Sequence, residues 1–284
     1  MYDIGRLLVV LGGEQAHSLA LHRARLIAKV TCAHMHLLLC DRSQDRTALL
    51  TGLKAQLADE GHSVSAEQAW EGSLHQTIIA VQQAEGCDLV IKQHLPDGPL
   101  KLLAPEDWKL LRYCPSAVLM VKHERRWAEG VVLAAVDIGN PDSTHRELQE
   151  QIIDQAFQIA ELAKGALHVV SAHPAPALAP NVAFQTPGEV PELYRERYAS
   201  LQEHFDIHDA ALHIAHGPAD ALIPLVASQL QAVVTVIGTV ARHGIAGALI
   251  GNTAEAVLDS LESDVLVLKT EAISGHLVEL LRGA

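Results

Sequence analysis

The chain has 284 residues, 49% of them apolar, 19% charged and 4% aromatic, with 21 basic against 34 acidic side chains. At about 150 residues per domain this length predicts two domains, each large enough to bury a core of its own. A net charge of −13 speaks against nucleic acid, whose binding rests on Lys and Arg contacts to phosphate. No apolar run reaches the ~20 residues of a membrane span. The N-terminus lacks the basic and apolar regions of a signal peptide, so a cytoplasmic protein is expected. The four cysteines show no CxxC spacing and are expected to be buried, reduced thiols.

In chain order, apolar runs predict strands at 6–11, 34–39, 64–70, 88–92 and 117–122, then again at 131–136, 166–172, 211–215, 233–238 and 264–269. Continuous rather than alternating apolar residues are the mark of parallel strands covered on both faces. The segment 71–91 has an ungapped counterpart 145 residues later, at 216–236, so the chain repeats one design. Leu19, Leu26, Ile27 and Val30 predict a helix after the first strand. Leu148, Ile152, Ala156, Ile159, Ala160 and Ala163 predict its counterpart, with Thr144 and Glu147 as a capping box. A charged stretch at 123–130 divides a first domain, 1–126, from a second, 127–284, and is short enough that the two should pack tightly. Residues 173–191, with five prolines, predict an irregular cover over a site, and 191–205 a helix that holds it. Pro224 predicts a late start or a kink in the helix around it, and 271–284 a short terminal helix, either capping its domain or binding a partner. Strand alternating with helix gives an α/β chain: two tandem open five-stranded parallel sheets with helices on both faces, Rossmann-like.

Ligands of such sheets bind at the carboxyl ends of the strands. Asp137 follows the first strand of the second half. After its fourth strand come Gly238, Thr239, Arg242, Gly244, Gly247 and Gly251, then Asn252, Thr253 and Glu255 at a helix start. Glycine amides can converge on an anion, a helix N-terminus faces the same space, and Arg242 adds positive charge, as in a phosphate cradle. Plain turns and an Asn252 cap account for the same residues. In the first half one glycine and two prolines (Pro96, Gly98, Pro99) follow the fourth strand, and Leu11 is expected where Asp137 sits. Nucleotide binding is not expected there.

These residues resemble the universal stress protein family, whose nucleotide-binding members carry Gly-x2-Gly-x9-Gly-Ser/Thr after the fourth strand. Gly238 and Gly251 match the first and third glycines, Ala241 stands at the second and Asn252 at the Ser/Thr position. Asp137 matches the aspartate on the ribose side of the nucleotide. Trp108 to Ser116 with Val121-Lys122, and Gly251 to Glu255, look like the tandem, two-domain type of the family. The resemblance implies the universal stress protein fold, pairing through the last strands as an intramolecular pseudo-dimer, with a further homodimer left open. It also implies ATP or AMP as ligand, with Mg present only alongside the nucleotide. If the second glycine is left-handed, Ala241 costs about 1–2 kcal/mol there, so the pocket is degenerate.

The 17 histidines include pairs (His34/His36, His204/His208, His213/His216) but no local set of three ligands, so no metal site is expected. His173 and His216 lie at strand ends near the pocket. No nucleophile elbow, Walker loop or first-strand dinucleotide loop occurs. The expected function is a non-catalytic cytoplasmic stress-response protein whose second-half nucleotide pocket gates an unknown protein partner. The alternatives are a scaffold or chaperone-like protein holding an apolar metabolite or nothing, and a weak ATP hydrolase.

Overall fold

The computed structural model describes residues 4–12, 18–94, 105–139, 142–173, 183–184, 192–239 and 257–282. Among these, one compact unit is made of 4–124 and 271–282, and the other of 125–239 and 257–270.

The first unit is a parallel sheet of β1 (Arg6–Leu11), β2 (His34–Cys40), β3 (Val64–Ala69), β4 (Leu89–Gln93) and β5 (Ala117–Val121), in the order β3-β2-β1-β4-β5. Helices α1 (Leu19–Thr31), α2 (Thr47–Asp59), α3 (Leu74–Glu85) and α4 (Pro105–Tyr113) connect the strands. The central strands are fully buried, with Leu7, Leu8 and Val9 at 0% exposure, because helices lie on both faces. In α1 the buried face differs from the predicted one. Ala20, Leu21, Ala24, Ile27 and Ala28 point inward, whereas Leu19 and Leu26 are half-buried and Val30 is exposed. Three alanines, with Leu21 and Ile27, form the face toward the sheet, so of the four predicted residues only Ile27 is buried.

The second unit contains β6 (Val131–Ala135), β7 (Ala166–His173), β8 (Ala183–Phe184), β9 (Leu212–His216), β10 (Val234–Thr239) and β11 (Asp264–Lys269), ordered β11-β10-β6-β7-β9-β8. Its helices are α5 (Ser143–Ala163), α6 (Glu192–Phe205) and α7 (Ala219–Gln229). The six apolar residues of the predicted α5 stripe are all buried, at 0–4% exposure. The helix starts at Ser143, so Thr144 is its second residue rather than its cap. Of the predicted irregular stretch, Ala183 and Phe184 pair antiparallel with β9, covering that strand's open edge. Helix α7 starts at Ala219, upstream of Pro224, and runs through it. The late start does not occur, because the proline forfeits only the bond to the Asp220 carbonyl. The final helix, α8 (Glu271–Arg282), belongs to the first unit, where Ser274 Oγ donates to the Pro115 carbonyl at 2.7 Å.

Of the cysteines, Cys87 and Cys114 are buried, Cys40 is half-buried and Cys32 is exposed, which corrects the expectation of four buried thiols. Cys32 is the left-handed residue that ends α1 (φ 58°), and helix ends lie at the surface. Burial pushes the Cys40 and Cys87 thiols up to about 12, so neither is a reactive thiolate near neutral pH.

Candidate functional site

In each unit the connections leave the sheet centre in opposite directions. The switch points fall between β1 and β4 and between β6 and β10, where open parallel sheets bind ligands. Strand register aligns the two. Leu8 pairs with Val90 and Leu133 pairs with Thr235, and Thr235 lies 145 residues after Val90, so Leu8 corresponds to Leu133. Counting on, Asp137 corresponds to Gly12, not to the expected Leu11. The same count puts Gln93 at Gly238 and His94 at Thr239.

In the second unit Asp137 sits just past β6 with its side chain exposed, between buried Val136 and Ile138. Its backbone is held on both sides. Gln149 of α5 donates to the Asp137 carbonyl, and Ile138 N–H donates to Ser171 Oγ at 3.3 Å. Beside it, β10 ends in Gly238 and Thr239. A Cβ on Gly238 would come within 2.6 Å of Leu148 Cδ2 and 2.9 Å of Ile152 Cδ1. This glycine therefore lets α5 seat on β10. Thr239 is buried and its hydroxyl donates to the Leu268 carbonyl at 3.4 Å, directed at β11. The structure thus brings Asp137, Gly238 and Thr239 to one switch point. Arg242, Gly244, Gly247, Gly251, Asn252 and Thr253 lie outside the described residues, as does most of the cover at 173–191.

His173 and His216, each expected at a strand end, come together. They are register partners on β7 and β9, with rings edge-on at 4.9 Å. Helix α6 was expected at 191–205, but two of its side chains were not flagged. Its Tyr194 packs on His173 with ring centroids 5.3 Å apart, and its Arg197 donates from Nη1 to the Ile138 carbonyl at 2.8 Å. A Cβ on Gly139 would collide with the Tyr194 hydroxyl. Burial, then the nearby Asp137 carboxylate, raise the Tyr194 phenol above its ordinary range. The available signal was the i, i+3 spacing of Tyr194 and Arg197 on a predicted helix, which aims both at one surface.

The first unit fills its own switch point. Gln93 Oε1 accepts from Leu19 N–H at 3.0 Å, occupying a free amide at the start of α1. Asp107 of α4 is 1% exposed and lies 2.7 Å from Lys92 Nζ and 3.1 Å from His94 Nδ1. One residue earlier, Glu106 contacts His75 and Lys109 at 2.7 and 2.9 Å. Burial works against its charge, but the hydrogen bonds from Lys109 and His75 hold the carboxyl at about 2. Two carboxylates in the first turn of α4 thus occupy the end of the helix that would otherwise attract phosphate. Among the described residues no group of three or more His, Cys, Asp or Glu is placed to hold a metal ion. No described helix is long and apolar enough to cross a membrane.

These are α/β units built on open parallel sheets, each with a switch point at its strand ends. The family model for the universal stress protein family matches residues 131–269. Universal stress protein E of Escherichia coli K12 is 32% identical over 238 residues, covering 80% of this chain and 74% of its own. Two Pseudomonas aeruginosa crystal structures superpose with a TM-score of 0.91. One, a protein of strain UCBPP-PA14 assigned to the universal stress proteins, is 55% identical and covers 99% of each chain. The other, a functionally unknown protein of strain PAO1, is 54% identical over 100% of this chain and 99% of its own. The chain belongs to the universal stress protein family.

Proposed function

We propose that this is a non-catalytic cytoplasmic stress-response protein whose second unit takes a nucleotide-type ligand, ATP or AMP, and relays its presence to a protein partner. The observation that carries the reading is the meeting of exposed Asp137 with the Gly238–Thr239 strand end at the β6/β10 switch point. In this reading the Asp137 carboxylate accepts from ribose hydroxyls. Arg242 and the amides of Gly244, Gly247 and Gly251 meet the phosphates, and Asn252 and Thr253 open the helix that faces them. Mg enters only with the nucleotide. The half 1–126 is silent toward nucleotide, since Gln93 takes the Leu19 amide and Asp107 pairs with Lys92 and His94 where a ligand would sit. It serves 127–284 as the packing partner of an intramolecular pseudo-dimer.

Calorimetric titration of MgATP into the full chain tests this. One site per chain is expected, with binding lost in Asp137→Ala and with no phosphate release above that variant's. No heat at about millimolar ATP, where a 1 mM Kd still corresponds to ~4 kcal/mol, would overturn the nucleotide and leave a scaffold holding an apolar metabolite or nothing.

A further inference from the structure

A planar ring already lies at the end of β6. Tyr194 is 9% exposed. Its hydroxyl rests on the Gly139 backbone so closely that any side chain there would expel it. Its ring packs on His173, which is 5% exposed and backed by the His216 ring. Asp137 lies close enough to act on the phenol's ionisation. One turn along α6, Arg197 holds the helix to the Ile138 carbonyl. Gly139 thus meets the hydroxyl end of the ring, and the His173 imidazole packs against it at a tilt of 53°, beside the carboxylate that a sugar would meet. A bare backbone and an imidazole around one ring suit a flat aromatic guest. The guest here comes from the chain itself.

We propose that Tyr194 is an internal occupant of a ring-binding slot at the end of β6, held there by α6 and displaced by a ligand carrying a planar heteroaromatic ring. This rests on the ligand site proposed above. Its consequence is quantitative, because a site open for only a fraction of the time binds with its affinity reduced by that fraction. The ordinary phenol stays neutral here, since both its burial and Asp137 oppose its ionisation, so the occupant brings no charge that a ligand must overcome.

Removing the ring leaves a space the shape of phenol, which serves as the probe in the full chain. In Tyr194→Ala, phenol is expected to raise the melting temperature saturably while leaving the unaltered protein unmoved. MgATP is expected to bind the variant about tenfold more tightly than the unaltered protein, the gain when an occupant present ~90% of the time is removed. If phenol fails to stabilise a folded Tyr194→Ala, Tyr194 occupies no slot and the proposal falls. It falls equally if MgATP binds both proteins alike while Asp137→Ala abolishes that binding, which would leave the nucleotide site standing. If phenol fills the vacated slot and MgATP binds neither protein, the nucleotide reading fails and the occupant stands for another planar ligand. Should Tyr194→Ala not fold, Gly139→Ala evicts the ring without deleting it. Nitration of Tyr194, mapped on peptides, should then rise well above the unaltered protein, and unchanged protection would overturn the proposal.

Discussion

Trp127 Nε1 donates to Asp264 Oδ2 at 2.8 Å, with the indole 1% and the aspartate 0% exposed. An acceptor carboxylate so deep in the second unit depends on its donors, since losing one leaves a charged group under-solvated. Trp127→Phe keeps most of the ring's bulk but removes the N–H. Urea unfolding of this variant should show about 1–3 kcal/mol of lost stability, whereas Trp127→Phe with Asp264→Asn should recover part of it. The sequence placed Trp127 only in a charged divider between domains. Its partner lies 137 residues away, a separation that no local pattern reports. Asp137 was legible because a carboxylate following an apolar run is a local signal. Tyr194 and Gly139 were not, because what joins them is a close approach in space.

Among the elements, α5 was the most legible, since six apolar residues on one face fix both its type and its inward side. Its seat on β10 gives Gly238 a role that the glycine-loop pattern did not distinguish from anion binding. Gly238→Ala forces Leu148 and Ile152 to yield, each closer than 3.0 Å to the new Cβ, so overpacking of about 1–3 kcal/mol is expected. Thermal or urea denaturation without any ligand checks this, and an unchanged midpoint would return Gly238 to a purely binding role. Strand positions were read to within a residue or so because buried parallel strands are continuous apolar runs. The two-residue β8 was missed, because its pairing is set by the edge of β9 and not by its own composition. The inward face of α1 was legible only at Ile27, because three of the five apolar residues on that face are alanines, which carry little hydrophobic signal.

At the scale of the molecule, pH acts on both units at once. In the second, His168 Nδ1 and His213 Nε2 share one hydrogen across 2.9 Å, their rings stacked at 14°. Burial lowers the pKa of both, and His168 lowers that of His213 further. In the first unit, burial followed by Arg6 and His36 lowers that of His34. The unfolded chain takes up protons near its ordinary histidine pKa of about 6.5, while these folded imidazoles resist. Their contribution is therefore complete above that pH and is lost as pH falls toward the lowered folded values. Melting temperature should drop between about pH 7.5 and pH 5.5, and His213→Gln should flatten the slope. The isoelectric point near 5.7 lies in the same interval, so self-association should set in as stability declines.

Helix α8 carries a consequence for the order of manufacture. The first unit buries Ile273 and Leu277 at 7% and 2% exposure and bonds Ser274 to Pro115, yet those residues leave the ribosome after the whole second unit. From Glu124 to Glu271, translation at ~5–20 residues per second takes roughly 7–30 s. Throughout that interval the earlier-made sheet waits, incomplete, for the segment that closes it. A chain ended at Thr270 should yield a first unit cut more readily by protease than the second, because the piece that seals it is synthesised only after the second unit.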